Sequence, residues 1–283
     1  MSPIDIDALI EEAKQIPLLP ASGVRLAALV SSHQYDIADV ADVVAYDPAL
    51  TLRLIRSANS AFQSSRTPVT TTRDAVLRLG AAQFLAISVA SHARRLMQED
   101  LPAYALSAGE LWKHSVITAV VSELIPNHCT TVIPPETFTA ALLHDIGKLV
   151  IARCVDEKTR KWLESAEQEG HLPLLQAERE VLEVDHAELG GLIAQHWKLP
   201  ESVAKGITFH HTPDERKDVI CDAVYLADTV AKQIEPAKTS RLPHPELNRR
   251  VLADLGLADS QFELLCQAGA DKSQEASARF NAR

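Results

Sequence analysis

Apolar residues along this chain recur mostly at spacings of three and four positions, and sustained alternation of apolar and polar residues is hard to find. The first pattern places apolar side chains on one face of a helix, whereas half-buried strands need the second. The pattern therefore predicts an all-α protein. In the second half of the chain, helices are predicted at residues 110–125, 135–153, 156–169, 174–182, 186–197, 200–209, 218–234, 245–255 and 260–267.

Capping residues mark further helices in the first half of the chain. Asp36 precedes a run of apolar residues at helical spacing, and Pro48 occupies the first turn of the helix that follows. A third helix is predicted to begin at a Thr72 cap and to end at Gly80, because glycine favours the left-handed conformation at helix C-termini. Residues 84–96 are apolar on nearly every side, which predicts a central position for that helix.

A break in the helical pattern at residues 98–109 predicts a boundary between two packed helical subdomains. The break contains Pro102 and two adjacent acidic residues, which disfavour a continuous helix. Residues 1–100 are expected to form an N-terminal helical bundle and residues 101–273 a C-terminal helical domain. The polar residues 274–283 are expected to form a flexible tail.

Composition and charge narrow the classes of function. Hydrophobic residues make up 46% of the chain and charged residues 23%, as in globular proteins that bury a sizeable core. A net charge of −10 argues against non-specific nucleic-acid binding, which needs clustered positive charge. The chain shows no secretory leader pattern and no apolar run near the roughly 20 residues that span a bilayer. We therefore expect a cytoplasmic protein without nucleic-acid or membrane partners.

Histidines and carboxylates in the second half lie on segments that could converge. Glu110 and His114 are four residues apart, which places both side chains on one face of a helix. His144 and Asp145 follow an apolar turn and precede Gly147, which lets the backbone turn or approach closely. A buried, unpaired carboxylate costs several kcal/mol, and a divalent cation is among the few partners that offset this cost. Asp145 is therefore the expected bridge between two ions.

Further candidate donors follow downstream. His210 and His211 would differ in direction by about 100° on a helix, which suits two different ions. Asp228 lies in an otherwise apolar helix, where its carboxylate also needs a partner. Each residue alone is more often a core residue or a cap, but jointly they favour a metal site over a hydrated polar network. The predicted ligands are Glu110, His114, His144, Asp145, His186, His210, His211 and Asp228.

These residues resemble the pattern of the HD superfamily of metal-dependent phosphohydrolases, which is a His, a His-Asp pair and a distant Asp. The corresponding residues here are His114, His144, Asp145 and Asp228. The remaining donors are similar to the larger set of the HD-GYP cyclic di-GMP phosphodiesterases, although the chain lacks their Gly-Tyr-Pro motif. The resemblance also implies that Lys148 lies near a substrate phosphate.

The first half of the chain resembles the HDOD domain. The segments that carry the resemblance are Ile-Pro-Leu-Leu-Pro at 16–20, Tyr-Asp-Pro-Ala-Leu at 46–50, Arg-Ser-Ala-Asn-Ser at 56–60 and Leu-Arg-Leu-Gly at 77–80. The likeness covers residues 10–210. It implies a bacterial signal-transduction output module, helical throughout, in which an N-terminal bundle packs on an HD-like half. Many HDOD proteins have lost the metal ligands, whereas this chain retains the set.

The resemblance implies a cofactor of two or three divalent transition-metal ions. Iron or manganese is the first expectation, and zinc or nickel also suits an imidazole-rich shell. Such ions activate water and clamp phosphate oxygens, so Asp145 and Lys148 are the expected catalytic residues for hydrolysis of a phosphoester or cyclic nucleotide. The alternative is a non-catalytic module that binds a signalling protein or a nucleotide, with a structural metal cluster. A metal-free helical scaffold ranks third, and the oligomeric state is left open.

Overall fold

The computed structural model describes residues 6–32, 35–45, 47–61, 68–168, 174–235 and 247–281. Within these ranges the regular elements are helical, apart from an isolated antiparallel bridge between Leu101 and Leu106, which confirms the predicted all-α class. Short 3-10 turns occur at Pro102–Tyr104, Ile125–Asn127 and Pro213–Glu215. The α-helices are α1 (Ile6–Gln15), α2 (Ala21–Ser32), α3 (Ile37–Ala45), α4 (Pro48–Ala61), α5 (Thr72–Leu79), α6 (Ala81–Leu96), α7 (Glu110–Leu124), α8 (Thr137–Leu143), α9 (Lys148–Cys154), α10 (Glu157–Gln168), α11 (Leu174–Leu182), α12 (His186–His196), α13 (Glu201–Thr208), α14 (Val219–Ile234), α15 (Arg249–Leu255) and α16 (Asp259–Asn281).

The capping residues in the first half agree with the predicted helix starts at two of three places. The Asp36 carboxylate accepts a hydrogen bond from the Asp39 backbone N–H at 2.9 Å, and Pro48 is the first residue of α4. The helix α6 is central, as predicted, since Phe84 and Val89 are completely buried. No single helix in the described ranges is both long and apolar enough to cross a membrane.

The predicted cap of α5 was wrong by one residue. Thr72 is the first helical residue, and the cap is Thr71, whose hydroxyl accepts a hydrogen bond from the Asp74 backbone N–H at 3.1 Å. Both threonines fit a capping position by sequence, and only the extended backbone of Thr71 allows its oxygen to reach that N–H. Gly80 ends the helix, as predicted, with a positive φ of 78° that glycine adopts readily. Its ψ of 161° lies outside the left-handed helical region, so the predicted left-handed conformation was wrong.

Thr71→Ala is expected to lower the free energy of unfolding by about 1 kcal/mol, because it removes the oxygen that caps α5. Thr72→Ala is the matched control and is expected to change that free energy by less than about 0.5 kcal/mol. Urea unfolding of the two variants measures the difference. Equal losses, or a larger loss for Thr72→Ala, would contradict the assignment of the cap.

Most helices of the second half begin and end within one residue of their predicted bounds, and three differ. The helix predicted at 135–153 is broken into α8 and α9 by a turn in which the Ile146 N–H bonds to Leu143 O and the Lys148 N–H to Asp145 O. The helix α15 begins at Arg249, four residues later than predicted. The helix α16 runs far beyond the predicted 260–267, because good helix formers continue after the apolar pattern ends.

Some predictions concern residues outside the described ranges. They are Tyr46 of the segment 46–50, residue 169 of the predicted helix 156–169, residues 245–246 of the predicted helix 245–255, and residues 282–283 of the predicted tail. The helical backbone of α16 continues to Asn281, so most of the segment 274–283 is helical, and its flexibility stays a prediction.

The apolar core is continuous between the two halves of the chain. One cluster of buried residues contains Leu26 and Phe84 from the first half and Ile146 and Trp197 from the second. The helix α1 packs against α9 and α12, although it precedes the predicted boundary. A second core joins α7 to α14, α15 and α16. The division of the chain near residue 100 stays a prediction.

Candidate metal centre

Seven of the eight predicted ligands meet in one buried cluster, called here the His/Asp cluster. Each comes from the end of a helix, a turn or the inner face of a helix in the second half of the chain. The members are His114 on α7, His144 and Asp145 in the turn between α8 and α9, His186 on α12, His210 and His211 just after α13, and Asp228 on α14.

Asp145 lies between two sets of imidazoles. Its Oδ1 atom is 3.2 Å from His186 Nε2 and 3.9 Å from His210 Nε2. Its Oδ2 atom is 3.5 Å from His144 Nε2 and 3.8 Å from His114 Nε2. The two carboxylate oxygens thus face different donors, which is the arrangement that a bridging carboxylate needs.

Asp228 completes one side of the cluster. Its Oδ1 atom lies 3.1 Å from His114 Nε2 and 3.6 Å from His144 Nε2. His210 and His211 lie in the same donor group, with ring centres 3.9 Å apart, because both follow the end of α13 instead of diverging on a helix. Donor atoms within 4.8 Å of one another form three groups: Asp145, His186, His210 and His211; His114, His144 and Asp145; and His144, His210 and Asp228.

Two buried imidazole nitrogens have no hydrogen-bond partner among the described residues, and both face the cluster. They are the Nε2 atoms of His144 and His210. The Nδ1–H groups donate to the carbonyl oxygens of Ala141 and Ile207, at 2.7 and 2.6 Å, so each Nε2 carries its lone pair toward the cluster. A buried acceptor left unsatisfied costs about 1–3 kcal/mol. Imidazole nitrogens with carboxylate oxygens fit a divalent transition metal, which would satisfy both atoms.

Glu178 is a buried carboxylate behind the cluster that sequence analysis missed. It accepts hydrogen bonds from His186 Nδ1 at 2.7 Å and from the His186 backbone N–H at 2.8 Å. Burial opposes a charged imidazole, but Glu178 and Asp145 outweigh it and raise the pKa of His186 to about 9. The sequence did contain a sign that Glu178 is buried. It stands four residues from Leu174 and from Leu182, which places it on the apolar face of α11.

Tyr104 links Glu178 to the segment between the two halves of the chain. Its hydroxyl donates to Glu178 Oε1 at 2.8 Å. Burial, followed by the negative charge of Glu178, raises the pKa of Tyr104 well above its ordinary value, so the phenol remains a donor. The Lys148 ammonium lies 5.5 Å from the centre of the Tyr104 ring.

The imidazoles of the cluster differ in their electrostatics. Burial opposes protonation of His114, but hydrogen bonds to Asp228 and Glu235 outweigh it and raise its pKa to about 9. Glu235, also missed by sequence analysis, places its Oε2 atom 2.6 Å from His114 Nδ1. Burial, with neighbouring imidazoles, holds the pKa of His210 and of His211 well below the ordinary value. His210 and His211 therefore favour the neutral form of the imidazole, which is the form that binds metals.

Two lysines neutralise the two aspartates of the cluster. Lys148 Nζ lies 2.6 Å from Asp145 Oδ2, and Lys232 Nζ lies 2.6 Å from Asp228 Oδ2. Burial opposes ionisation of the carboxyls, but the ammonium groups and nearby histidines outweigh it and hold the pKa of Asp145 and of Asp228 well below the ordinary value. The position of Lys148 near a substrate phosphate stays a prediction, and the pairing of Lys232 with Asp228 was not predicted from the sequence.

Glu110 is the predicted ligand that the structure does not bring into the cluster. Its Oε2 atom accepts a hydrogen bond from the Ser107 backbone N–H at 2.8 Å, at the start of α7. It belongs to none of the three donor groups found among the described residues. Its role as a ligand stays a prediction, and the geometry gives it a local role at the helix start.

Glu178→Gln is expected to weaken binding of Mn²⁺ by about 10- to 100-fold, because His186 loses the carboxylate that orients its ring. Glu180→Gln, at an exposed position on the same helix, is the matched control and is expected to leave the affinity unchanged. Competition with a fluorescent chelator measures both dissociation constants. Equal affinity of the two variants would show that Glu178 does not support the ligand.

Comparisons with known proteins place the chain among helical proteins of one family. The model of the HDOD domain family matches residues 16–213, which include six members of the His/Asp cluster but not Asp228. A crystal structure of an HDOD domain protein with unknown function from Geobacter sulfurreducens has a TM-score of 0.70 at 23% identity, and the match covers 96% of each chain. A crystal structure of a candidate phosphohydrolase from Shewanella amazonensis SB2B has a TM-score of 0.64 at 25% identity, covering 94% of this chain and 97% of that one.

A curated relative is an uncharacterised protein of Treponema pallidum (strain Nichols). It is 24% identical over 228 residues, which are 79% of this chain and 44% of the relative. The chain thus spans less than half the length of the curated relative it matches.

Proposed function

This chain belongs to the HDOD domain family, and from that membership and the His/Asp cluster we propose that it is a bacterial signal-transduction output protein with metal-dependent phosphohydrolase activity. The proposal depends chiefly on the Nε2 atoms of His144 and His210, which are buried, have no hydrogen-bond partner among the described residues and lie beside two buried aspartates. A candidate phosphohydrolase with the same fold at 25% identity supports it.

We propose two ions and not three, because Glu110 lies outside the three donor groups. Iron and manganese are the proposed metals, since both suit a shell of imidazoles and carboxylates. Asp145 would be shared between them, as its two oxygens face different imidazoles. The residues that would hold the first ion are His114, His144 and Asp145, with Asp228, whose carboxylate lies beside His114 and His144. Those that would hold the second are Asp145, His186, His210 and His211.

The proposed reaction is hydrolysis of a phosphoester. When bound, the ions would lower the pKa of water and polarise phosphoryl oxygens. The oxygen of water bonds to phosphorus while the bond from phosphorus to the ester oxygen breaks, and a proton from water ends on the departing alcohol. Lys148, held against Asp145, would neutralise charge that develops on the phosphoryl oxygens. Glu178 would keep His186 oriented.

A second candidate function is a binding module for a signalling protein or a nucleotide, without turnover. The observation that favours it is the pairing of each cluster aspartate with a lysine, Asp145 with Lys148 and Asp228 with Lys232. These pairs neutralise both carboxylates with side chains alone. The His/Asp cluster would then stabilise the packing of α7, α12 and α14.

Reconstitution with metal separates the two candidates. Protein loaded with Fe²⁺ or Mn²⁺ is expected to hydrolyse members of a panel of p-nitrophenyl phosphate, bis(p-nitrophenyl) phosphate and cyclic di-GMP. A chelator should abolish the activity and added metal should restore it. A fully loaded protein that turns over none of these esters would contradict the hydrolase and favour the binding module.

A further inference from the structure

A cavity of about 510 Å³ opens onto the His/Asp cluster between α14 and α15, and it is called here the α14–α15 cavity. Two members of the cluster, His211 and Asp228, line it. Tyr225, Lys232 and Arg249 are also among the lining residues. The volume lies within the roughly 300–1,000 Å³ typical of pockets for small molecules. A small ligand would therefore reach the cluster by this route.

Two cationic side chains, Lys232 and Arg249, line the α14–α15 cavity. Lys232 lies one turn after Asp228 on α14, and its ammonium is in contact with the Asp228 carboxylate at 2.6 Å while 36% of the side chain stays exposed. Arg249 pairs with Asp259, and their side chains are 72% and 69% exposed. An exposed ion pair of this kind contributes about 0–1 kcal/mol, so an anionic ligand could take the place of Asp259.

An aromatic side chain, Tyr225, lines the cavity together with the two cations. Tyr225 stands seven residues before Lys232 on α14, on the same side of the helix, and lines the cavity with it. Its hydroxyl oxygen accepts a hydrogen bond from the Asn248 backbone N–H at 3.3 Å, which holds the ring beside the start of α15. The ring offers an apolar face to the organic part of a ligand.

We propose that the α14–α15 cavity selects small phosphomonoesters over phosphodiesters, with Lys232 and Arg249 as the specificity-determining residues. The inference rests on the proposed phosphohydrolase activity. A phosphomonoester loses its second proton with a pKa of about 6 and is a dianion at neutral pH, whereas a diester is a monoanion. The free, negatively charged oxygen of a monoester would form charge-assisted hydrogen bonds with Lys232 and Arg249. The second ester group of a diester carries no charge and would leave these cations without that partner. Hydrolysis then yields an alcohol and inorganic phosphate.

The test compares Lys232→Gln and Arg249→Gln with the control Lys205→Gln in the manganese-loaded full chain. Lys205 pairs with Glu201 at 2.9 Å on α13 and does not line the cavity. Elemental analysis of each variant checks that manganese is retained. Arg249→Gln is the cleaner variant, because Arg249 touches no member of the His/Asp cluster in the described structure, whereas Lys232 contacts Asp228.

Two measurements are made on each protein. Calorimetry with inorganic phosphate is expected to give a dissociation constant at least about tenfold higher in both variants than in the control. The wild type is expected to favour p-nitrophenyl phosphate over bis(p-nitrophenyl) phosphate in kcat/KM by at least about tenfold, and both variants should lose most of that preference.

The outcomes distinguish this inference from the proposed function. Unchanged phosphate affinity and an unchanged monoester-to-diester ratio in Arg249→Gln, or a wild type that prefers the diester, would overturn the inference while the hydrolase stands. Phosphate binding that depends on Arg249, without turnover of either ester, would overturn the hydrolase and support the anion site.

Discussion

Asp145→Ala is expected to abolish binding of the ions and to lower phosphoester hydrolysis by at least about a thousandfold. Asp145 is the residue whose two oxygens face different imidazoles, so its removal takes one ligand from both proposed ions. The substitution also leaves the buried Lys148 ammonium without its carboxylate, which lowers the free energy of unfolding by about 3–5 kcal/mol. Elemental analysis, kinetics and urea unfolding measure the three effects.

Asp145→Asn separates the loss of charge from the loss of volume. The amide keeps the size of the side chain and one acceptor oxygen, but it cannot bridge two ions with two anionic oxygens. Asp254→Asn, at an exposed position that pairs with Arg250, is the control and is expected to behave as the wild type. Full metal content and activity in Asp145→Asn would contradict the bridging role.

Gly147→Ala is expected to cause the largest loss of stability from a single added methyl group, about 3 kcal/mol or more. A Cβ atom at Gly147 would lie 1.9 Å from the backbone oxygen of His186 and 2.7 Å from the backbone N of Gly190. Both contacts are with the backbone of α12, which cannot give way without moving His186. The same change is therefore expected to weaken metal binding.

Gly269→Ala is the matched control for this prediction. A Cβ atom at Gly269 would have side-chain atoms as its nearest neighbours, the closest being Val121 Cγ2 at 3.2 Å. Its free energy of unfolding is expected to change by less than about 1 kcal/mol, since alanine favours the helix. Urea unfolding compares the two variants, and a loss at Gly147 no larger than at Gly269 would contradict the close contact with α12.

The helices were largely predictable because apolar spacing records which face is buried. The break between α8 and α9 was not, since the apolar residues on both sides of His144 and Asp145 continue the helical pattern. The sequence showed that Gly147 allows a close backbone approach, but it did not show that the partner is α12, which lies far along the chain. The last part of α16 was missed because it is polar.

The members of the His/Asp cluster were easier to predict than the residues that contact them from outside the cluster. Buried histidines and aspartates are conspicuous in apolar surroundings, and their types indicate metal chemistry. Glu235 approaches His114 from 121 residues away, and nothing local to Glu235 reveals that contact. Glu110 has the right spacing from His114, but the backbone N–H of Ser107 occupies its carboxylate. The spacing of residues along the chain determines which face of a helix a side chain lies on, but tertiary packing determines which groups that side chain contacts.

Anomalous scattering from crystals of manganese-loaded protein shows whether the His/Asp cluster holds two ions. We expect two peaks on either side of Asp145, one beside His114, His144 and Asp228 and the other beside His186, His210 and His211. Elemental analysis of the same protein should find about two equivalents of manganese. Crystals of the loaded protein without an anomalous peak among these side chains, together with less than half an equivalent of metal in solution, would contradict a two-ion centre at Asp145.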